Sequence, residues 1–132
     1  MNQREIGLLP VLTLAYMGDA VYELRVRQYL LESGLAKAGE LHKAAIAYVC
    51  ASRQASLAEA FLDKLSPDEV DIFRRGRNAK SGHVPPNMRP ADYHKATGLE
   101  ALVGYWYLCG QEARLAALFA LLFAKEGEAD GS

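Results

Sequence analysis

The segment LPVLTLAYMGDAVYELRVRQYLLES carries apolar residues at helical spacing from about Val11 to Glu32, and almost every later segment reads the same way. An apolar helical stripe is buried against other helices or against a sheet, and no strand-like alternation longer than a few residues occurs to supply the sheet. The fold class is therefore all-α. The 132 residues (1–132) make a single domain, long enough to bury a core without staples. The first helix stops at Gly34 in SGL. GELHKAAIAYVCASRQASLAEAFLDKL predicts one long or two shorter helices, with a break near Ala51 and Ser52. In SPDEVDIFRRGRN, Ser66 is an N-cap, Pro67 takes the first helical position and Glu69 completes a capping box. NAKSGHVPPNMRP is too rich in Gly and Pro to be other than loop. ADYHKATGLEALVGYWYLCG and QEARLAALFALLFAKEG give the last two helices, and the residues after about 126 are expected to fray.

Net charge is −1, which by itself points to no particular partner, but the charge is unevenly spread. Arg74, Arg75, Arg77, Lys80, Arg89 and Lys95 stand against the single acid Asp92, a local +5 that leaves −6 for the rest. Cys50 and Cys109 are far apart, in apolar helical patterns and without ligand spacing, so they read as buried reduced thiols. The N-terminus lacks a signal-peptide layout and LAALFALLFA is too short to span a bilayer. No membrane association and a cytoplasmic location are expected.

Gly18 and Asp19 are poor residues for the middle of an apolar helix. Gly loses about 1 kcal/mol there relative to Ala, and an ionised carboxylate facing a core is worse unless paired or metal-bound. Asp19 and Glu23 share one helix face, and Glu100 interrupts another apolar helix. These acids either pair with Arg or Lys, or point to solvent, or converge on a divalent ion as carboxylates from separate helices do in bundles. Hard oxygen ligands without Cys or His suit Mg²⁺.

RRGRNAKSGHVPPN is long for a mere connection. A solvated helix C-terminus accounts well for Arg74 and Arg75 and less well for Arg77 and Lys80. Clustered cations neutralise nucleic-acid phosphates, with Asn78, Ser81 and His83 able to bond sugar or phosphate oxygens. His42 and His94 have no nucleophile paired with them and read as helix-surface or core residues. Tyr105, Trp106 and Tyr107 cannot all face one core, and the last helix is apolar around most of its circumference. Some of that surface is expected to be a subunit contact.

LAYMGDAVYEL resembles the signature of the ribonuclease III catalytic domain, roughly E-R-L-E-F-L-G-D-A-V-L-E. KATGLEALVGYWYL resembles that family's second acidic motif, roughly A-D-x-x-E-A-L-I-G-A. They occur in the family's order with a basic loop before the second, and the resemblance covers essentially the whole chain. With no double-stranded-RNA-binding domain expected, RRGRNAKSG points the resemblance to the small bacterial branch, Mini-ribonuclease III. Position by position, the resemblance implies that Asp19 and Glu100 are the catalytic and metal-binding carboxylates. Tyr16 matches the aromatic at the family's dimer contact. Glu23 matches the signature's last acid and, with Thr97 where larger relatives have Asp, supports the site. Ala15 and Leu12 replace further acids, so fewer carboxylates are available to hold metal.

The resemblance further implies a homodimeric helical bundle that cuts double-stranded RNA with Mg²⁺ (Mn²⁺ as a substitute), leaving 5′-phosphate and 3′-hydroxyl ends. The implied substrate is the precursor of 23S ribosomal RNA. Arg74, Arg75, Arg77, Asn78, Lys80, Ser81 and His83 would supply the grip on RNA. Two other readings stay open: a helical RNA-binding or assembly module that does not cut, and a metal-dependent hydrolase of small phosphorylated molecules.

Overall fold

Residues 1–79 and 83–124 are described by the computed structural model, so Lys80, Ser81 and the expected frayed tail lie outside the described residues. Seven α-helices form among them, in the order α1 (Gln3–Gly7), α2 (Val11–Glu32), α3 (Ala38–Val49), α4 (Ala51–Phe61), α5 (Pro67–Asn78), α6 (Pro90–Leu108) and α7 (Glu112–Leu122). A 3-10 turn, Leu62–Lys64, follows α4, and no strand occurs among the described residues. The all-α expectation holds.

The core is organised around α6, which packs against α2, α5 and α4. From Ala96 to Trp106 every α6 residue except Glu100 is buried. A helix enclosed on several sides has no reason to be amphipathic. Small residues let its neighbours come close. A Cβ on Gly18 would lie 1.7 Å from the Glu100 carbonyl oxygen, and one on Gly104 would lie 2.0 Å from that of Leu14. The α2 and α6 backbones therefore touch where two glycines face each other. On another side of α6, a Cβ on Gly98 would meet the Phe73 carbonyl oxygen of α5 at 2.7 Å.

The start of α5 follows the sequence expectation. Ser66 Oγ accepts from the Glu69 N–H, Glu69 Oε1 accepts from the Ser66 N–H at 2.8 Å, and Pro67 opens the helix. Glu69 does more than cap. Its Oε2 accepts from Trp106 Nε1 at 2.7 Å and from Arg114 Nε at 2.9 Å, joining α5 to α6 and α7. Burial alone would raise this carboxyl, but hydrogen bonds from Arg114, the Ser66 backbone and Trp106 hold it below its usual range.

Several expectations need adjustment. The break in the second helical segment falls at Cys50, one residue before Ala51 and Ser52, where the backbone turns extended. Both cysteines are free as expected, but they are half-buried rather than fully enclosed. Helix α7 is apolar around most of its circumference yet buries only Leu115, Leu118, Phe119 and Leu122, leaving its alanines outside. The aromatic triplet, by contrast, behaves as expected in not facing one core together: Tyr105 and Trp106 are buried and Tyr107 is 47% exposed.

Candidate active site

The glycine contact between α2 and α6 places the next residue along α2, Asp19, beside Glu100. Both line a solvent-open recess of about 190 Å³, together with Glu23, Gln54, Tyr93, Thr97 and Met88. Asp19 is exposed and Glu100 is half-buried. Burial is the main reason that the Glu100 carboxyl is pushed up to about 8. Its hydrogen bond with Asp19 and the negative charges of Asp19 and Glu23 push the same way, while a hydrogen bond from the Gln54 amide opposes them. Near neutral pH Glu100 thus keeps a proton and donates it toward Asp19.

Around this pair the other residues have fixed tasks. Thr97 Oγ1 donates to the Tyr93 carbonyl at 3.0 Å, one helical turn back. Glu23 borders the recess and reaches Arg27 at 3.7 Å, in a half-exposed pair. Gln54 Nε2 donates to the Val49 carbonyl at 2.9 Å and so ties α4 to the end of α3 across the Cys50 break. Ala15, where a further acid was expected to be missing, is buried, and Leu12 is on the surface.

The basic segment divides into spent and available cations. Arg75 donates to the carbonyls of Gly7 (2.9 Å) and Leu9 (3.1 Å), fastening the α1–α2 connection to α5. Lys95 is paired with Glu59. Arg74 is exposed with Asp71 at 3.8 Å, Arg77 Nε donates to Asn78 Oδ1 at 3.3 Å, and His83 is exposed. The loop they begin returns to the site, since Met88 lines the recess. Tyr16 projects from the outer face of α2 and is 78% exposed.

Among the described residues no group of three or more His, Cys, Asp or Glu side chains is placed to hold a metal ion. The recess offers instead two carboxylates from different helices and the side-chain oxygen of Gln54, which is buried and has no hydrogen-bond partner. An all-oxygen set of this kind fits a hard divalent cation that keeps several of its waters.

The Ribonuclease III domain family matches residues 12–111, which include both carboxylates and the basic segment. The chain belongs to the ribonuclease III family. It is 50% identical over 107 residues to a protein named Mini-ribonuclease 3 from Symbiobacterium thermophilum, covering 81% of this chain and 82% of that one. A Mini-ribonuclease 3 from Brevibacillus brevis is 44% identical over 126 residues, covering 95% and 94% of the two chains. The crystal structure of protein FN1578 from Fusobacterium nucleatum superposes with a TM-score of 0.80 at 29% identity, covering 86% of this chain and 92% of that one. Membership of the ribonuclease III family makes the chain an endoribonuclease.

Three residues of the recess escape a reading of the ribonuclease III motifs. Gln54 lies on the buried face of α4 among Ala51, Ala55, Leu57, Ala58 and Phe61, and a lone amide on an apolar face is the signal that marks it. Tyr93 precedes Thr97 and Glu100 by one and two helical turns, so α6 periodicity places it on their face. Met88 comes from irregular chain, where spacing carries no such information.

Proposed function

We propose that the protein is a divalent-metal-dependent endonuclease of double-stranded RNA, acting as a homodimer, with Asp19 and Glu100 as the carboxylates that hold the ion. The observation that carries this reading is their convergence from α2 and α6 in one open recess, beside the end of a basic loop. The ion is Mg²⁺ or, in its place, Mn²⁺; when bound it supplies Lewis-acid polarisation of the phosphate and a water acidified for attack.

The chain's own residues divide the remaining work. Asp19 would hold the ion through an exposed carboxylate. Glu100 would hold it as an ionised carboxylate, its proton released to solvent. Glu23 and Thr97 border the site and hold its walls. Arg74, Arg77, Asn78 and His83, continuing through Lys80 and Ser81, neutralise phosphates along the duplex, whereas Arg75 is occupied with backbone carbonyls. Recognition of an A-form duplex then rests on shape, phosphates and 2′-hydroxyls, so sequence preference is modest. Hydrolysis leaves 5′-phosphate and 3′-hydroxyl ends. Two recesses in a dimer, with Tyr16 at the contact, cut the two strands with a short 3′ overhang. The substrate is a stem of the 23S ribosomal RNA precursor, which places the enzyme in the cytoplasm. No helix among the described residues is long and apolar enough to cross a membrane.

The test is cleavage of a perfect RNA duplex in Mg²⁺ by wild type, Asp19→Asn and Glu100→Gln, with binding measured in parallel. Losing a metal ligand removes several kcal/mol of transition-state stabilisation, so each variant should cut at least roughly 10³-fold more slowly while still binding. A wild type that binds the duplex without cutting it would instead establish the non-cutting assembly module, to which the missing acids at Leu12 and Ala15 lend some support.

A further inference from the structure

The geometry points to Gln54 as a positioning residue of this site, whose side-chain oxygen accepts a hydrogen bond from a water on the divalent ion held by Asp19 and Glu100. The inference rests on the metal reading of that pair given above. Gln54 is 4% exposed and lines the same recess as the two carboxylates. Its donor side is accounted for: Nε2 bonds the Val49 carbonyl at 2.9 Å, and the amide acts on the neighbouring Glu100 to favour its ionised form. Its acceptor side is not. Oε1 is the buried side-chain oxygen or nitrogen that lacks a partner among the described residues.

A purely structural glutamine explains Nε2, which ties α3 to α4, but gives Oε1 nothing to do. Buried polar atoms are almost always paired, and one left unpaired calls for a partner that arrives with function. A cation with only two protein carboxylates keeps several waters, each a strong donor that needs an acceptor. Gln54 Oε1 is neutral, so it accepts from such a water without adding negative charge to a recess that already holds Asp19, Glu23 and Glu100. Groups that orient metal-bound ligands in this way commonly change metal affinity about 10–100-fold when removed.

The experiment titrates Mn²⁺ into metal-free protein without RNA and follows free Mn²⁺ by its electron paramagnetic resonance signal, with circular dichroism melts run alongside. Gln54→Leu should stay folded and bind Mn²⁺ about 10–100-fold more weakly. Gln54→Glu keeps an oxygen, adds charge and should bind more tightly than wild type, although it loses the Nε2 bond to Val49. A merely structural residue predicts no gain for Gln54→Glu. Wild-type affinity in a folded Gln54→Leu, with binding lost in Asp19→Asn, overturns the assignment of Gln54 and leaves the carboxylate pair standing. Binding that survives in both Asp19→Asn and Glu100→Gln overturns the carboxylate reading and this inference with it. Should Gln54→Leu fail to fold, Gln54→Glu decides, and binding no tighter than wild type overturns the inference.

Discussion

Glu100 is held at about 8 in the native protein, against 4.5 for a free side chain, so the native state keeps a proton that the unfolded chain has released. Burial is the first cause, and the groups facing it from α2, Asp19 and Glu23, reinforce it against the Gln54 amide of α4. The sign of the linkage follows. Between pH 4.5 and about 8 the native state binds more protons than the unfolded state, so metal-free stability falls as pH rises through that window and levels off above it. Melting curves in chelator should show a Tm declining across the window, and Glu100→Gln should remove most of the slope and melt higher than wild type above it. A wild-type Tm that rises toward pH 8 would contradict the assignment. The same proton competes with a divalent ion, so Mn²⁺ affinity should rise with pH by up to about tenfold per unit until Glu100 is ionised.

Gly18 shows how two helices set the distance between two carboxylates. In an exposed helix, Gly→Ala would gain about 1 kcal/mol. At position 18 the added methyl would stand 1.7 Å from a backbone carbonyl of α6, which cannot turn away as a side chain could. The helices would have to separate, and overpacking of this kind costs about 1–3 kcal/mol or more. Gly18→Ala should therefore lower Tm by several degrees and, in the molecules still folded, slow RNA cleavage, because Asp19 and Glu100 move apart with their helices. Gly39→Ala is the control, since nothing lies within 4 Å of its added Cβ in the first turn of α3. It should leave cleavage unchanged and hold or raise Tm. The glycine in α2 stood out in the sequence as a costly residue for an apolar helix, but its partner did not, because periodicity describes one helix at a time and the pairing of Gly18 with Gly104 exists only in the assembled core. Helix α1 was missed for a different reason. Its five residues are too few for a periodic pattern, and only the Asn2 and Glu5 capping box marked it. The Cys50 break was off by one because neither Gly nor Pro punctuates it.

Taken together, the surface separates what RNA and a second subunit would each require. The charge count alone suggested six cations between Arg74 and Lys95. Arg75 and Lys95 already have internal partners, which no count of charges could reveal. Replacing Arg74 and Arg77 with Ala should weaken duplex binding evenly across sequences and reduce the salt dependence by about 0.9 per lost phosphate contact. Replacing Arg75 should mainly lower stability, through the released carbonyls of Gly7 and Leu9. Apolar side chains also stand exposed among the described residues: Tyr16 is 78% exposed, Leu24 65% and Tyr107 47%. Met17, Leu24 and Tyr107 line one open groove along α2. An exposed apolar patch of neighbouring side chains is the kind of surface that marks association, and in the proposed homodimer Tyr16 sits at the contact. Because Tyr16 is so exposed in a single subunit, Tyr16→Arg should change monomer stability by no more than about 0.5 kcal/mol. Within an interface it would desolvate a charge without a counterpart. Sedimentation should show a wild-type dimer and a monomeric Tyr16→Arg at the same micromolar concentration, with double-strand cleavage lost along with the dimer. A wild type that sediments as a monomer throughout, or a variant that remains dimeric, would remove Tyr16 from the contact and return this face to ordinary surface.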